Sequence, residues 1–232
     1  MNLKHIIYLL AAGCLLAACY QKGEAGNYDV DGESLIREMP ADGYQAIVTV
    51  KQDENQVVFF QVDSVLRVYP LNYEQPFTKP KRLACRLIDY VDAWVYKNKE
   101  YHLGKVQWVE ELAQGMVESN KGDDYYPTDD GIDLVEDWMT SLEDAFLTLH
   151  YTTTWGDGSV VHRLLLVNGD QEGEFRLLHY RDGDDNLWEA DALIYFDLND
   201  CLPKTDGRDI ILKWTTGAGE SAEKHFRFRS RP

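Results

Sequence analysis

The sequence predicts an all-β protein, with a small β-barrel at residues 41–121 followed by an antiparallel β-sandwich at residues 131–232. Aromatic residues make up 12% of the chain, and with the frequent β-branched residues they form short runs that suit pleated strands. Polar turns containing Gly, Asp and Asn separate these runs at short distances. This spacing is typical of barrels and sandwiches.

Strand-like runs follow one another through the predicted barrel: Tyr44–Val50, Val57–Tyr69, Lys81–Val91, Val91–Tyr96 and Val106–Leu112. Polar turns separate them, at Asp53-Glu54-Asn55 after the first run and at Lys97-Asn98-Lys99 after the fourth. We therefore expect short strands joined by tight turns.

Residues 119–131 interrupt this pattern with Gly, Pro and Asp in quick succession, which predicts a domain boundary. We expect the acidic side chains of this segment to be solvated: Asp123, Asp124, Asp129 and Asp130.

The predicted sandwich is a series of hairpins. Phe146–Thr154 should pair with Val160–Val167, and Phe175–Tyr180 should pair with the strand that begins at Trp188. Ile210–Thr215 should form a last pair with Lys224–Arg229. The last strand, Lys224–Arg229, alternates charged and aromatic side chains, which predicts a half-buried edge strand.

The N-terminus predicts a secreted, lipid-anchored protein. Residues 1–18 have a basic start, a short apolar run and small residues, as in a signal peptide. Leu16-Ala17-Ala18-Cys19 resembles the bacterial lipobox, in which the cysteine thiol carries the lipid, whereas Ala11 makes Cys14 a poorer match. Cys19 would anchor the chain in the outer membrane through a flexible tether at 19–40. The alternative is an ordinary secreted protein cut near Ala18.

The charge of the chain excludes some partners. Without the signal peptide, the chain has 22 Lys and Arg against 40 Asp and Glu, a net charge of −18. Such a balance repels nucleic acid and anionic lipid, so neither is an expected partner. The charge is uneven, because residues 41–120 carry 9 basic and 11 acidic residues, whereas residues 121–232 carry 11 and 24.

Two cysteines follow the predicted anchor, Cys85 and Cys201, 116 residues apart. We expect two buried free thiols, and a disulfide is the alternative that an oxidising compartment allows.

The first domain contains a candidate ligand-binding platform of aromatic residues, consisting of Trp94, Tyr96, Tyr101 and Trp108. Small barrels of this kind bind oligosaccharides or single strands on one face, so a sugar or a peptide is the expected ligand. The alternative is that these rings fill the core and rim of the barrel.

A weak candidate cation site lies at Asp182, Asp184 and Asn186, with Glu189 nearby, because hard oxygen ligands two residues apart can chelate calcium. The pattern departs from the EF-hand, since Leu187 occupies the glycine position. Asp and Asn also favour tight turns, so a plain hairpin turn is the alternative. His150 and His162 flank the predicted turn near Gly156, but no histidine or cysteine has zinc spacing, and no cofactor is expected.

Several stretches together resemble the NigD-like lipoproteins of Bacteroidota: Cys19 with its lipobox, Val57–Tyr69, Gly131–Trp138, Leu147–Thr153, His162–Val167, Phe175–Arg181 and Ala192–Leu198. The resemblance implies an N-terminal OB-like domain and a C-terminal β-sandwich domain. The family name also links it to a bacteriocin-associated gene cluster, which implies immunity or another role in the envelope. It supplies no catalytic residues.

We therefore expect a non-catalytic envelope lipoprotein that acts by binding an envelope protein, a peptide such as a bacteriocin, or a glycan. Two alternatives remain. One is an envelope hydrolase that uses second-domain carboxylates such as Asp182, Asp184 or Glu189. The other is a structural accessory subunit whose second-domain edge strand binds a partner.

Overall fold

The computed structural model describes residues 42–126, 129–156, 160–184, 188–202, 207–229 and 231. The predicted signal peptide, Cys19 and the tether at 19–40 lie outside these residues. The chain divides into two compact units between Leu112 and Ala113. This division comes before the predicted boundary at 119–131, because residues 113–118 pair with strands of the second unit. Within the described ranges, no helix has the length and apolarity needed to cross a membrane.

The first unit is a closed five-stranded barrel, as predicted. Its strands are β1 (Tyr44–Gln52), β2 (Val58–Gln61), β3 (Leu66–Pro70), β4 (Lys81–Tyr96) and β5 (Lys99–Glu111). They follow the order β1-β2-β3-β5-β4 around the barrel. The pairing of β3 with β5 is parallel, and the other pairings are antiparallel. This is an OB-like barrel.

Alternation along the strands decides which side chains face outward. Phe60, Leu66 and Val68 belong to the barrel core. Because successive side chains of a strand point to opposite faces, Arg67 and Tyr69 lie on the outer surface.

The predicted run Val57–Tyr69 is two strands. Asp63 Oδ1 accepts hydrogen bonds from the N–H groups of Val65 and Leu66 at 2.7 and 2.8 Å. An aspartate that binds its own following backbone forms a tight turn, so the chain reverses between β2 and β3. In contrast, the two predicted runs within 81–96 form the single strand β4, with an irregular register between Ile88 and Asp92.

The second unit is a β-sandwich, as predicted. Its strands are β6 (Ala113–Gln114), β7 (Met116–Glu118), β8 (Asp133–Leu134), β9 (Ser141–Glu143), β10 (Phe146–Trp155), β11 (Arg163–Asn168), β12 (Glu174–Tyr180), β13 (Trp188–Asp197), β14 (Asp209–Thr215) and β15 (Ser221–Arg227). One sheet has the order β6-β13-β10-β8, with β9 also paired to β10, and the other has the order β15-β14-β12-β11-β7. Both sheets contribute side chains to one core, including Leu149 and Phe196 from the first and Leu166 and Leu212 from the second.

The connectivity of the sandwich differs from the predicted series of hairpins. Strand β10 pairs with β13 in one sheet, whereas β11 pairs with β12 in the other. The first two predicted hairpins are therefore wrong, because the chain crosses from one sheet to the other after β10 and again after β12. The last predicted pair is confirmed, since β14 pairs with β15 antiparallel. Three pairings are parallel: β6 with β13, β7 with β11, and β12 with β14. Strand β15 does lie at a sheet edge, as its alternation predicts.

Of the acidic residues predicted to be solvated, Asp123, Asp124 and Asp130 are exposed, and described parts of the same segment also contact the second sheet. Tyr126 packs on a small cluster formed by the outward side chains of β11 and β12, namely Leu165, Val167, Leu178 and Tyr180. The acidic residues of the segment bind β12 and the residue after it through three contacts: Asp123 with Arg176, Asp129 with the N–H of His179, and Asp130 with the N–H of Arg181. Sequence composition identified a break in the strand pattern, but these long-range contacts fix the segment in place.

Candidate functional site

Three rings form a continuous aromatic surface on the outside of the barrel. Trp94 of β4 lies opposite Tyr101 of β5, and their ring centroids are 5.3 Å apart with planes at 12°. The ring of Tyr69 on β3 lies 6.3 Å from both, at 23° to Trp94 and 18° to Tyr101. We call these three residues the aromatic strip. They come from three adjacent strands, so the barrel itself holds their spacing.

The aromatic strip is open to solvent at one end and supported at the other. Trp94 is 40% exposed, whereas Tyr69 and Tyr101 are half-buried. The hydroxyl of Tyr69 donates to Asp53 Oδ2 at 3.3 Å. Burial, and then the neighbouring Asp53 carboxylate, raise the pKa of Tyr69, so the phenol is neutral at physiological pH.

The other two predicted platform residues lie outside the aromatic strip. Tyr96 is 57% exposed, and its ring contacts the ammonium of Lys97 at 5.1 Å rather than the three rings. Trp108 lies opposite Arg86, seven residues beyond Tyr101, which is about 23 Å along a strand. The structure therefore joins Trp94 and Tyr101, adds Tyr69, and separates Trp108 from them.

An arginine lies beside the aromatic strip. Arg67 of β3 is opposite Tyr101, and its guanidinium carbon lies 4.8 Å from the ring centroid of Phe59 and 5.6 Å from that of Tyr101. Its Nε donates to Gln61 Oε1 at 3.0 Å. Contacts of this kind between a cation and ring faces are favourable, and here they also fix the plane of the guanidinium.

The candidate cation site is not assembled in the described residues. Asp182 forms two hydrogen bonds with Arg163, at 2.6 and 2.7 Å, and this contact lowers the pKa of Asp182. Asp184 is buried and accepts a hydrogen bond from the N–H of Gly156 at 2.7 Å. Asn186 lies outside the described residues. Among those that are described, no three His, Cys, Asp or Glu side chains form a group that could hold a metal ion.

The histidines form a buried chain that the sequence analysis missed. His162 and His179 face each other across β11 and β12, with 3.1 Å between His162 Nδ1 and His179 Nε2. His179 Nδ1 lies 2.6 Å from the carbonyl of Gly131, and His162 Nε2 lies 3.2 Å from Asp184 Oδ2. The ring of Trp155 stacks on His162 at 4.2 Å. His150 and His162 do not lie on paired strands, because β10 and β11 belong to different sheets.

This histidine chain is enclosed and therefore structural. The side chains of His162, His179 and Asp184 are at most 6% exposed, which leaves no access for a substrate. His150 is also held by acceptors on both sides, at 2.8 Å from Asp137 and 2.9 Å from Asp191. No local sequence signal indicates that His162 lies beside His179. Their proximity follows from the strand register, which places Leu164 opposite His179.

A polar cleft of about 330 Å³ lies in the second domain, and Glu189 is one of its lining residues. Its other polar side chains are Asp130, Asp133, Thr152, Thr153, Thr154 and Arg181. Arg181 donates to Thr154 Oγ1 at 3.1 Å and lies 3.6 Å from Asp130. The three carboxylates suggested for a hydrolase have separate surroundings, because Asp182 pairs with Arg163 and Asp184 is buried, while Glu189 lines this cleft.

A closed OB-like barrel followed by a two-sheet sandwich defines a class of two-domain β proteins. Residues 115–228 match the family described as the NigD-like C-terminal beta sandwich domain. The second domain is therefore a NigD-like C-terminal domain, which confirms the NigD-like resemblance of this part of the sequence.

Solved structures with the same fold come from Bacteroidota. A protein from Parabacteroides distasonis ATCC 8503, whose name suggests a relation to toxins, is 21% identical, with a TM-score of 0.65 over 82% of this chain and 94% of its own. A NigD-like immunity protein from Bacteroides caccae ATCC 43185 is 15% identical, with a TM-score of 0.51 over 78% and 92%. A protein from Bacteroides fragilis NCTC 9343, whose name suggests a lipoprotein, is 9% identical, with a TM-score of 0.53 over 81% and 98%. No curated protein matches the chain.

Proposed function

We propose that this protein is a non-catalytic binding protein of the cell envelope, anchored in the outer membrane through Cys19, and that the aromatic strip of its barrel binds a glycan. The structural relatives support the envelope location, since one is named as an immunity protein and the name of another suggests a lipoprotein. The lipobox at Cys19 supports the anchor, and a tether of about twenty residues would let the barrel reach ligands near the membrane.

The observation that carries the proposal is the near-parallel array of Tyr69, Trp94 and Tyr101 on the outer face of an OB-like barrel. OB-like barrels bind oligosaccharides on the face of their second and third strands, and Tyr69 is on the third. Aromatic rings offer a large apolar area with little loss of conformational freedom. A partly exposed Trp94 in such an array suits stacking against a sugar ring.

Binding is favoured over the two alternatives that the sequence left open. A hydrolase built on Asp182, Asp184 and Glu189 would need these carboxylates to converge, but they have different neighbours. Glu189 shares its cleft with Asp130 and Asp133, of which the first pairs with Arg181 and the second accepts a hydrogen bond from the N–H of Gly217. For docking through an edge strand, β15 is poorly suited, because the exposed positions Glu223, His225 and Arg227 carry ionisable groups. Ionisable side chains on an edge strand oppose pairing with another strand.

Immunity against a peptide toxin is a second candidate function. The name of the Bacteroides caccae relative supports it, and so does the charge of residues 113–232, with 11 Lys and Arg against 25 Asp and Glu. A net charge of −14 on one domain attracts cationic peptides at long range. Expression of the gene in a sensitive strain, followed by exposure to cationic bacteriocins, would test this role.

The glycan proposal can be tested with the full-length protein in detergent. We expect it to bind oligosaccharides on a glycan array, and we expect Trp94→Ala and Tyr101→Ala to reduce the affinity by roughly tenfold each, since each removes one ring from the stack. Tyr96→Ala is the matched control, because Tyr96 is equally aromatic and more exposed but lies outside the aromatic strip. Equal binding by Trp94→Ala and the wild type would contradict the proposal.

A further inference from the structure

We propose that the glycan bound by the aromatic strip is acidic, and that the guanidinium of Arg67 recognises its carboxylate groups. This inference rests on the proposed function and names the class of glycan. It concerns a residue that the sequence analysis did not select. Arg67 has a fixed orientation and lies beside the rings, and no carboxylate among the described residues forms an ion pair with it.

The orientation of Arg67 is fixed by Gln61. The amide nitrogen of Gln61 donates to the backbone carbonyls of Asp63 and Leu66. Its Oε1 is therefore the group that accepts the hydrogen bond from Arg67 Nε, at 3.0 Å. Because Nε is engaged on the protein side, the two terminal nitrogens are left for other acceptors. Two parallel N–H groups on a planar guanidinium match the two oxygens of a carboxylate.

The guanidinium is also held next to the rings that would bind the sugar. It lies over Phe59 at 4.8 Å and over Tyr101 at 5.6 Å, and Tyr101 belongs to the aromatic strip. Phe59 is buried, so this contact is a fixed part of the surface. A uronic acid has a ring that can stack and a carboxylate that projects from it, and both contacts are available here within one sugar.

The charge environment of Arg67 differs from that of most arginines in the second domain. Six of the seven described second-domain arginines form ion pairs with carboxylates, and exposed Arg229 is the exception: Arg163 with Asp182, Arg176 with Asp123, Arg181 with Asp130, Arg208 with Glu172, Arg227 with Asp209, and Arg231 with Asp197. Arg67 contacts an amide and two rings, and among the described residues no carboxylate forms an ion pair with it. In a chain with a net charge of −17, a cation without such a partner at a surface of stacked rings indicates an anionic ligand.

Neighbouring charges permit this ligand. The carboxylates in the turns on either side of β2 accept hydrogen bonds from backbone N–H groups, at Asp53 from Asn55 and Val57, and at Asp63 from Val65 and Leu66. Residues 42–112 carry nine Lys and Arg against ten Asp and Glu, so the barrel is nearly neutral. The strongly negative net charge belongs to the sequence of the other domain.

The test uses two probes that differ only in charge, a galacturonic acid hexamer and its methyl ester, titrated into the full-length protein by calorimetry. We expect the acid to bind at least about tenfold more tightly than the ester at low salt, since a hydrogen-bonded ion pair contributes that much. Arg67→Gln should remove this preference and leave the affinity for the ester nearly unchanged. Arg67→Lys keeps the charge but not the paired N–H groups, so we expect it to lose most of the preference while folding normally. Arg86→Gln is the matched control, since Arg86 is a half-buried barrel arginine that contacts Asp42.

Each outcome separates this inference from the proposed function. If acid and ester bind equally, the aromatic strip binds glycans but Arg67 does not select their charge, and the inference is wrong. If Arg67→Gln keeps the preference for the acid, another group reads the charge and the inference is again wrong. If a hexaglutamate peptide binds as tightly as the galacturonate, the site recognises acidic peptides instead. Failure of both sugars to bind would refute the proposed function itself.

Discussion

His162 and His179 lie 3.1 Å apart inside the sandwich, and the hydrogen bonds around them determine where their protons are. The carbonyl of Gly131 can only accept, so His179 Nδ1 carries a hydrogen and donates to it. Burial lowers the pKa of His179, and the neighbouring His162 lowers it further, which keeps this imidazole neutral. His179 Nε2 is therefore the acceptor, and His162 Nδ1 donates to it. A hydrogen bond between His162 Nε2 and Asp184 Oδ2, at 3.2 Å, continues the chain.

This arrangement predicts acid sensitivity of the second domain. An unfolded histidine titrates near about 6.5, whereas folded His179 has a lowered pKa. The unfolded chain therefore binds the proton more readily, so this contribution to stability is complete above pH 6.5 and is lost as the pH falls toward the folded pKa. His179→Asn can still donate to Gly131 but does not titrate. We expect it to cost about 1–3 kcal/mol at neutral pH and to show a weaker loss of stability between pH 7 and 5.

Urea unfolding at several pH values, followed by hydrogen exchange in β12, measures this effect. His225→Asn is the control, because His225 lies on the exposed face of β15 and is 58% exposed. An unchanged pH dependence in His179→Asn would show that another group causes the acid sensitivity.

Gly156 is the position where an added methyl group would disturb this chain most directly. A Cβ there would lie 1.7 Å from Asp184 Oδ1, so the buried carboxylate would have to move away from His162 and from the N–H of Gly156. We expect Gly156→Ala to lower the free energy of unfolding by about 3 kcal/mol or more. Gly183→Ala has backbone strain but nothing within 4 Å of the added atom, and it should cost only about 1 kcal/mol. Similar losses in the two variants, measured by thermal unfolding, would argue against this role for Asp184.

The two thiols should differ in reactivity. Burial raises the pKa of Cys85 to about 12, and burial followed by Asp197 and Asp200 raises the pKa of Cys201 by less. Both are free thiols in the structure and lie in different domains, but only Cys85 is buried as expected from the sequence, whereas Cys201 is half-buried. Because thiolates react and thiols do not, we expect maleimide at pH 7.5 to label half-buried Cys201 slowly and Cys85 only after unfolding. Peptide mass spectrometry measures both, and rapid labelling of Cys85 in the native protein would contradict the buried position.

The lipid anchor gives a cellular prediction. Cys19→Ser should move the protein from the membrane fraction to the soluble fraction, because the acyl chains attach to that thiol. Cys14→Ser should leave the protein in the membrane fraction, since Ala11 makes Cys14 a poor lipobox match. Partition in Triton X-114 distinguishes the two variants, because a lipid-anchored protein enters the detergent phase and an unanchored one stays in the aqueous phase. Membrane retention of Cys19→Ser would refute lipidation at this residue.

The sequence indicated the fold class and part of the aromatic strip, for a local reason. Trp94 and Tyr101 lie on either side of a tight turn, so alternation alone places them on one face. Tyr69 reaches them through the parallel pairing of β3 with β5, which depends on long-range register. The turn at Asp63 also divides a run that the sequence presents as one strand. Neither feature has a local sequence signal.

In the second domain, too, the sequence does not indicate which strands pair with β10 and β12. The turns after β10 and β12 look like hairpin turns, with Gly and Asp in each, but both carry the chain between sheets. A turn sequence reports a reversal of direction and does not specify which strand comes next in the sheet. For this reason the pairing of His162 with His179, rather than with His150, follows only from the assembled sandwich.

The central claim is that the aromatic strip on the barrel binds a glycan, and the indole N–H signals of Trp94 and Trp108 test it most directly. Both tryptophans are in the barrel, but only Trp94 belongs to the aromatic strip. On titration of a galacturonic acid hexamer into the ¹⁵N-labelled full-length protein, we predict a saturable shift of the Trp94 signal and no shift of the Trp108 signal. A Trp94 signal that stays in place while the sugar binds elsewhere, or while no sugar binds at all, would contradict the account.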